Sequence, residues 1–135
     1  MTQTAINSFA GFTASQQLLA GNNTVGGGAG ADTFAFNTAG KTTANHDWIV
    51  DFEHGTDTIA TNFFSGLGTV TFATGTTPNT PTDASAPAIF YRSDYGGILF
   101  DAGAGQNGFI EIARVINHAT ATVTASDFVL AGATF

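Results

Sequence analysis

Cysteine is absent from the 135-residue chain, so neither a disulfide framework nor a thiolate zinc site can be built. Bases are almost absent. Lys41, Arg92 and Arg114 stand against ten Asp and Glu residues, for a net charge of −7 and a pI of about 4.3. Three cations are too few to neutralise a phosphate backbone, so no nucleic-acid partner is expected. The same balance disfavours an anionic membrane surface and favours a metal cation. Charged residues amount to only 10% of the chain, against ~25% in ordinary soluble proteins. No apolar run approaches the ~18 residues of a membrane span, so membrane insertion is not expected. Residues 1–12 lack Lys and Arg, so the charged start of a cleaved secretory signal is not expected there. Proline is scarce, with all three copies between residues 74 and 87.

What is present is apolar and turn-rich. Hydrophobic residues reach 43%, including thirteen phenylalanines, which is enough for a core and unlike a disordered chain. Short apolar strokes separated by Gly, Asn and Asp predict an all-β domain. Residues 13–20 predict a short helix closed by Gly21, with Phe9, Phe12 and Leu19 on its inner side. Residues 63–73 predict a strand with Val70 and Phe72 on one face, and residues 74–87 a loop. Strands are expected at 88–92, 98–101, 109–116 and 128–130, with turns at 93–97 and 103–108 that suit antiparallel hairpins. We expect one domain over residues 1–135, a degenerate roll at 18–61 followed by an antiparallel C-terminal part at 62–135.

A nine-residue repeat organises the first part. Residues 27–35, GGAGADTFA, satisfy G-G-x-G-x-D-x-U-x at every specified position. Residues 18–26 keep Gly21 and Val25 in the same register but carry Asn23 in place of the Asp. Residues 42–50 keep only Asp47 and Ile49, after an insertion around Gly40 and Lys41. Six positions make a turn and three a strand, so stacked copies give a parallel β-roll. Glycine supplies the positive φ that lets carbonyls converge. Calcium takes ~6–8 oxygens, more than one turn can offer, so two turns must share a site. The expected ligands are the Asp32 carboxylate, the carbonyls of Gly28 and Gly30, and Asp47 facing Asp32, with Asn23 as a neutral donor.

Together, GGAGADTFAF and HDWIVDFEHGTDTI resemble the C-terminal domain of serralysin-type secreted metalloproteases and related RTX (repeats-in-toxin) proteins. The positions that match are Asp32, Asp47, Trp48, Ile49, Asp51, Phe52, Gly55, Asp57 and Ile59. The last stretch, from IFYRSDYGGILFD to SDFVL, is similar to the hairpins and tail that close many RTX exoproteins. The resemblance spans residues 18–130. It implies a short β-roll packed on and capped by antiparallel strands in a sandwich-like arrangement. It also implies calcium binding, with Asp51 and Asp57 added to the candidate ligands. Export by a type I secretion machine reading a C-terminal signal is implied as well, and hence an extracellular or cell-surface location. Ala60 stands where an acid usually follows the Ile, and residues 131–135 extend beyond the usual end.

Other patterns are weaker. Residues 103–108 spell G-x-G-x-x-G, but a strand rather than a helix is predicted to follow, which excludes a dinucleotide site. A second cation contact at Asp101 is the most that loop offers. His46, His54 and His118 have no H-E-x-x-H spacing and read as surface or turn residues. Asp51 and Glu53 share a strand face without a nucleophile, and Glu111 and Arg114 read as a strand rim. Trp48 reads as core, and with Tyr91 and Tyr95 it gives only a thin basis for sugar stacking. No enzyme is expected. The primary reading is a calcium-binding module of an exported bacterial protein that folds on calcium outside the cell. The alternative is a calcium-dependent module that binds polysaccharide or a cell surface.

Overall fold

The computed structural model describes residues 8–9, 12–13, 16–18, 22–36, 46–76, 86–103 and 108–135. Strands β1 (Ser8–Phe9) and β2 (Phe12–Thr13) pair antiparallel. A coil follows through β3 (Gln16–Leu18), β4 (Thr24–Val25), β5 (Thr33–Phe36), β6 (Asp47–Ile49) and β7 (Thr58–Thr61). Next come β8 (Gly68–Thr69), β9 (Thr71–Gly75), β10 (Ala88–Arg92), β11 (Gly97–Asp101) and β12 (Ile110–Val115). A 3₁₀ turn at Ala125–Asp127 leads into β13 (Phe128–Leu130) and β14 (Ala133–Thr134).

Successive strands of the coil alternate between two sheets. One has the order β13-β7-β5-β3, the other β4-β6-β12-β11-β10-β9. Within the coil all pairings are parallel: Phe34 lies beside Ile59 and Gln16 beside Phe34 in one sheet, and Thr24 beside Trp48 in the other. This is the expected β-roll, and its inner rows are apolar because a strand shows alternate residues to each face. Phe34, Ile59 and Phe128 form one buried row, and Val25, Ile49 and Val115 the opposing one. Phenylalanine rings fill the space between. Phe100 lies 5.1 Å from Phe64 and 6.4 Å from Phe128, which in turn lies 5.9 Å from Phe72. Such tilted contacts add to the burial that drives the two sheets together.

The chain is all-β, as expected, with a parallel roll joined to antiparallel strands. β11 runs antiparallel to both β10 and β12, so residues 103–108 link two antiparallel strands and no helix follows them. Three expectations need correction. The predicted helix at 13–20 gives way to strand β3 at Gln16–Leu18, because stacking on β5 supplies a full ladder partner that a short isolated helix lacks. The side-chain positions predicted for Phe9, Phe12 and Leu19 lie outside the described residues. The predicted strand at 63–73 begins only at Gly68. Residues 63–67 form a turn that folds Phe63 edge-on to Phe64 at 4.8 Å, although Val70 and Phe72 do pack on the core together.

The third correction concerns the C-terminal part, which is not wholly antiparallel. β9 is parallel to β10, β8 to β14, and β13 to β7. Long connections permit this, since a parallel neighbour needs a crossover of roughly a dozen residues. Residues 77–85 of the proline-rich loop, with Asp83, lie outside the described residues, as do Gly40, Lys41 and residues 104–107. Among the described residues no helix is long and apolar enough to cross a membrane.

Candidate metal centre

The intact nonapeptide forms the turn between β4 and β5. Gly28 and Gly30 have φ of +92° and +103°, the left-handed region that the repeat requires of them. Asp32 closes the turn. Its Oδ2 is buried and has no hydrogen-bond partner among the described residues. Gly27 makes the space it occupies: a Cβ there would stand 2.3 Å from that oxygen. A buried carboxylate oxygen without a partner is costly unless something neutralises it. The arrangement therefore fits a hard cation held by Asp32.

The alternation of sheets decides which turns meet. Turns from the six-stranded to the four-stranded sheet all lie on one edge, and these are residues 26–32, 50–57 and 116–127. Asp47, the first residue of β6, lies on the other edge. The carboxylates that reach the Asp32 turn are accordingly those of Asp51 and Asp57, not Asp47. Asp57 Oδ1 accepts the Asp32 amide at 3.0 Å and its Oδ2 the Glu53 amide at 2.9 Å. Asp51 accepts the amides of Gly27 and Gly28, each at 2.9 Å. On the opposite edge, Asp47 Oδ1 accepts both the backbone N–H and the side-chain amide of Asn23 at 2.9 Å. Each of these carboxylates thus stitches its own turn to the turn one coil earlier.

The stitching continues into parts of the chain that repeat reasoning passed over. Asn117 donates to the Phe52 carbonyl at 2.9 Å and accepts the Phe52 amide at 3.1 Å. Asp127, 2% exposed, accepts the Gly55 amide at 3.0 Å through Oδ1. Its Oδ2 meets His54 Nδ1 at 2.7 Å and accepts the Thr124 amide at 2.8 Å. Asp127 does for β13 what Asp57 does for β7. The signal was available as Asp-Thr-Ile at 57–59 and Asp-Phe-Val at 127–129, an acid one residue ahead of a strand. What hid it was the long stretch of chain between them.

The edge is acidic. Asp32, Asp51, Glu53, Asp57 and Asp127 all belong to its turns, while the two arginines pair elsewhere. Arg92 binds Asp94 through Nε at 2.9 Å and Nη2 at 2.7 Å, and Arg114 binds Glu111 at 2.7 and 3.2 Å. The Arg92 hydrogen bonds hold the Asp94 carboxyl below its usual value. Among the described residues no group of three or more His, Asp or Glu side chains is close enough to hold a metal. Any calcium here must therefore take much of its coordination from carbonyls, as this hard ion readily does. Asp101 accepts the Gly103 amide at 2.8 Å.

The aromatic reading changes. Trp48 is 45% exposed rather than core, because Asp47 and Ile49 take the inward positions on β6. Tyr91 is buried, so Trp48, Tyr91 and Tyr95 form no common platform. A family model described as peptidase M10 serralysin C terminal matches residues 3–129. No curated protein matches the chain.

Proposed function

Because the chain belongs to the peptidase M10 serralysin C-terminal family, whose domains bind calcium and occur in secreted proteins, we propose that it is a non-enzymatic calcium-binding module of an exported protein. The match is to the C-terminal domain of that peptidase, not to its catalytic domain. The observation that carries the reading is the buried, unpartnered Oδ2 of Asp32 in the space left by Gly27.

Asp32 is the primary ligand, with the carbonyls of Gly28 and Gly30 beside it; Asp51 and Asp57, whose oxygens accept amides of the turns, fasten the turn that carries Asp32 and add negative charge near the ion rather than ligate it. Asp47 and Asn23, bonded to each other on the opposite edge, act as a stitch rather than as ligands. Bound calcium supplies the positive charge that offsets the crowded carboxylates. With a Kd of ~10⁻⁴–10⁻³ M, usual for extracellular modules, calcium at about ten times Kd adds ~1.4 kcal/mol per site. That is enough to tip a marginal fold but not to build one. Low calcium inside the cell keeps the chain competent for type I export, and higher calcium outside locks the roll.

Isothermal titration with calcium, and thermal melts in calcium against chelator, test this reading. Saturable binding that raises the melting temperature is expected, with magnesium far weaker. Heat-silent titration together with identical melts in calcium and chelator sinks it.

A further inference from the structure

The turn at residues 50–57 is held from two sides. On one side it meets the turn of the intact nonapeptide. Asp51 takes the amides of Gly27 and Gly28, Asp57 takes that of Asp32, and the Thr58 amide donates to the Asp32 carbonyl at 2.8 Å. The backbone of Asp32 is thereby gripped at its N–H and its C=O by two successive residues, while its side chain is left for an ion. On the other side the turn meets the C-terminal segment. Asn117 exchanges two hydrogen bonds with Phe52, and Asp127 takes the Gly55 amide and faces His54. Between these two sets of contacts residues 53–57 close on themselves, since the amides of Thr56 and Asp57 donate to the Glu53 carbonyl at 3.0 and 2.8 Å. A turn closed in this way carries a displacement from one neighbour to the other.

Charge gives that displacement a direction. Asp32, Asp51 and Asp57 bring three carboxylates to the junction of the two turns, and both arginines are paired elsewhere. Their mutual repulsion, strengthened by partial burial, works to part the turns, and a cation on Asp32 reverses it. The element at stake on the far side is β13. It has three residues and lies at the edge of the four-stranded sheet, paired with β7. Short edge elements open at a lower cost than the core does. Asp127, the residue just ahead of β13, is anchored on His54 and Gly55, inside the closed turn.

We propose that an ion held at Asp32 fastens the C-terminal strand β13, with residues 50–57 as the coupling element and Asp127 as a positioning residue that acts through them. This rests on the calcium reading above and adds to it where binding is felt. Linkage makes the effect mutual: the factor by which calcium favours the docking of β13 is the factor by which docking raises calcium affinity.

Hydrogen exchange of the wild-type chain in calcium and in chelator, beside calorimetric titration with calcium, tests this. Exchange at Phe128–Leu130 should slow at least about fivefold in calcium. Exchange at Ala88–Arg92 and Gly97–Asp101, which lie away from the turn edge, should slow less. Asp127→Asn keeps the size of the side chain but gives up acceptor capacity. It should weaken calcium binding by a factor similar to the one seen in exchange and remove most of the calcium response of β13. Ile89→Val, a change in the core of β10, should lower the melting temperature and leave calcium affinity as it was, which separates positioning from general destabilisation. If Asp127→Asn does not fold, His54→Ala, which removes one contact to Asp127, and the wild-type exchange decide the matter. Calcium binding to wild type with unchanged exchange at β13, or with equal slowing in every strand, overturns the coupling and leaves the calcium reading standing. A wild-type chain that binds no calcium overturns both.

Discussion

The backbone amide of Asp32 donates to the carboxylate of Asp57 at 3.0 Å, one coil further along, while the Asp32 carboxylate keeps a buried oxygen without a partner among the described residues. Two acids of similar sequence context thus hold opposite positions. One is fully engaged in fastening turns together, and the other is available to a cation.

Asp57 is a fastener by this account. Asp57→Ala strands the amides of Asp32 and Glu53 and should cost about 3 kcal/mol, since each buried donor left unsatisfied costs roughly 1–3 kcal/mol. For a domain of this size that is a fall in Tm of about 10 °C. The loss should appear in chelator as well as in calcium. A variant that melts normally in chelator would show that the stitch carries no weight.

Asp32 should behave in the reverse way. Asp32→Asn removes an unpartnered charge, so stability in chelator should stay level or rise slightly. Calcium affinity, measured by calorimetry, should fall at least about tenfold, with most of the calcium-dependent rise in Tm lost. Asp83→Asn in the proline-rich loop should change neither. Gly27→Ala, whose Cβ would meet Asp32 Oδ2, Cγ and Cβ at 2.3–2.6 Å, should abolish the calcium response by displacing the carboxylate.

Asp127 locks β13 to the roll. Asp127→Ala frees the amides of Gly55 and Thr124 and should cost about 2–3 kcal/mol. Hydrogen exchange should quicken at Phe128–Leu130 and Thr58–Thr61 and stay slow in β10, β11 and β12. His54→Ala, which removes a side chain 41% exposed, should cost less than about 1 kcal/mol. Equal losses from the two variants would contradict this division.

Tyr91 is 1% exposed and its hydroxyl has no partner among the described residues. Tyr91→Phe should therefore stabilise the fold at pH 7, by about 1 kcal/mol. Burial also raises the Tyr91 phenol above its ordinary value. With the folded pKa raised, the associated stability is complete below the unfolded value of about 10 and is lost as pH rises through the folded one. Melts from pH 8 to 11 should show wild type losing more stability than Tyr91→Phe. Tyr95, also raised by burial, titrates in both proteins and cancels from the comparison.

Much of this molecule is written in short-range pattern. The strand at 88–92 is found at its predicted bounds, and so is that at 128–130. Gly28 and Gly30 adopt the positive φ that the nonapeptide requires. These follow from local rules, because alternation and glycine's freedom act within a few residues. Gln16–Leu18 reads locally as helix because its strand character comes from β5, eighteen residues away in register.

The sequence by itself determined an acidic all-β chain, a roll built on one intact repeat, and Asp32 as the acid of that repeat. Tertiary structure alone decided what each carboxylate does. A carboxylate accepts an amide or a cation through the same oxygens, so Asp47, Asp51 and Asp57 look alike until the coil shows which turn lies beneath each. Because the strands alternate between sheets, the start of the next strand lies on the far edge, and the start of the one after it becomes the neighbour. That geometry joined Asp47 to Asn23 and Asp57 to Asp32, and it turned Trp48 outward from a run that reads as core.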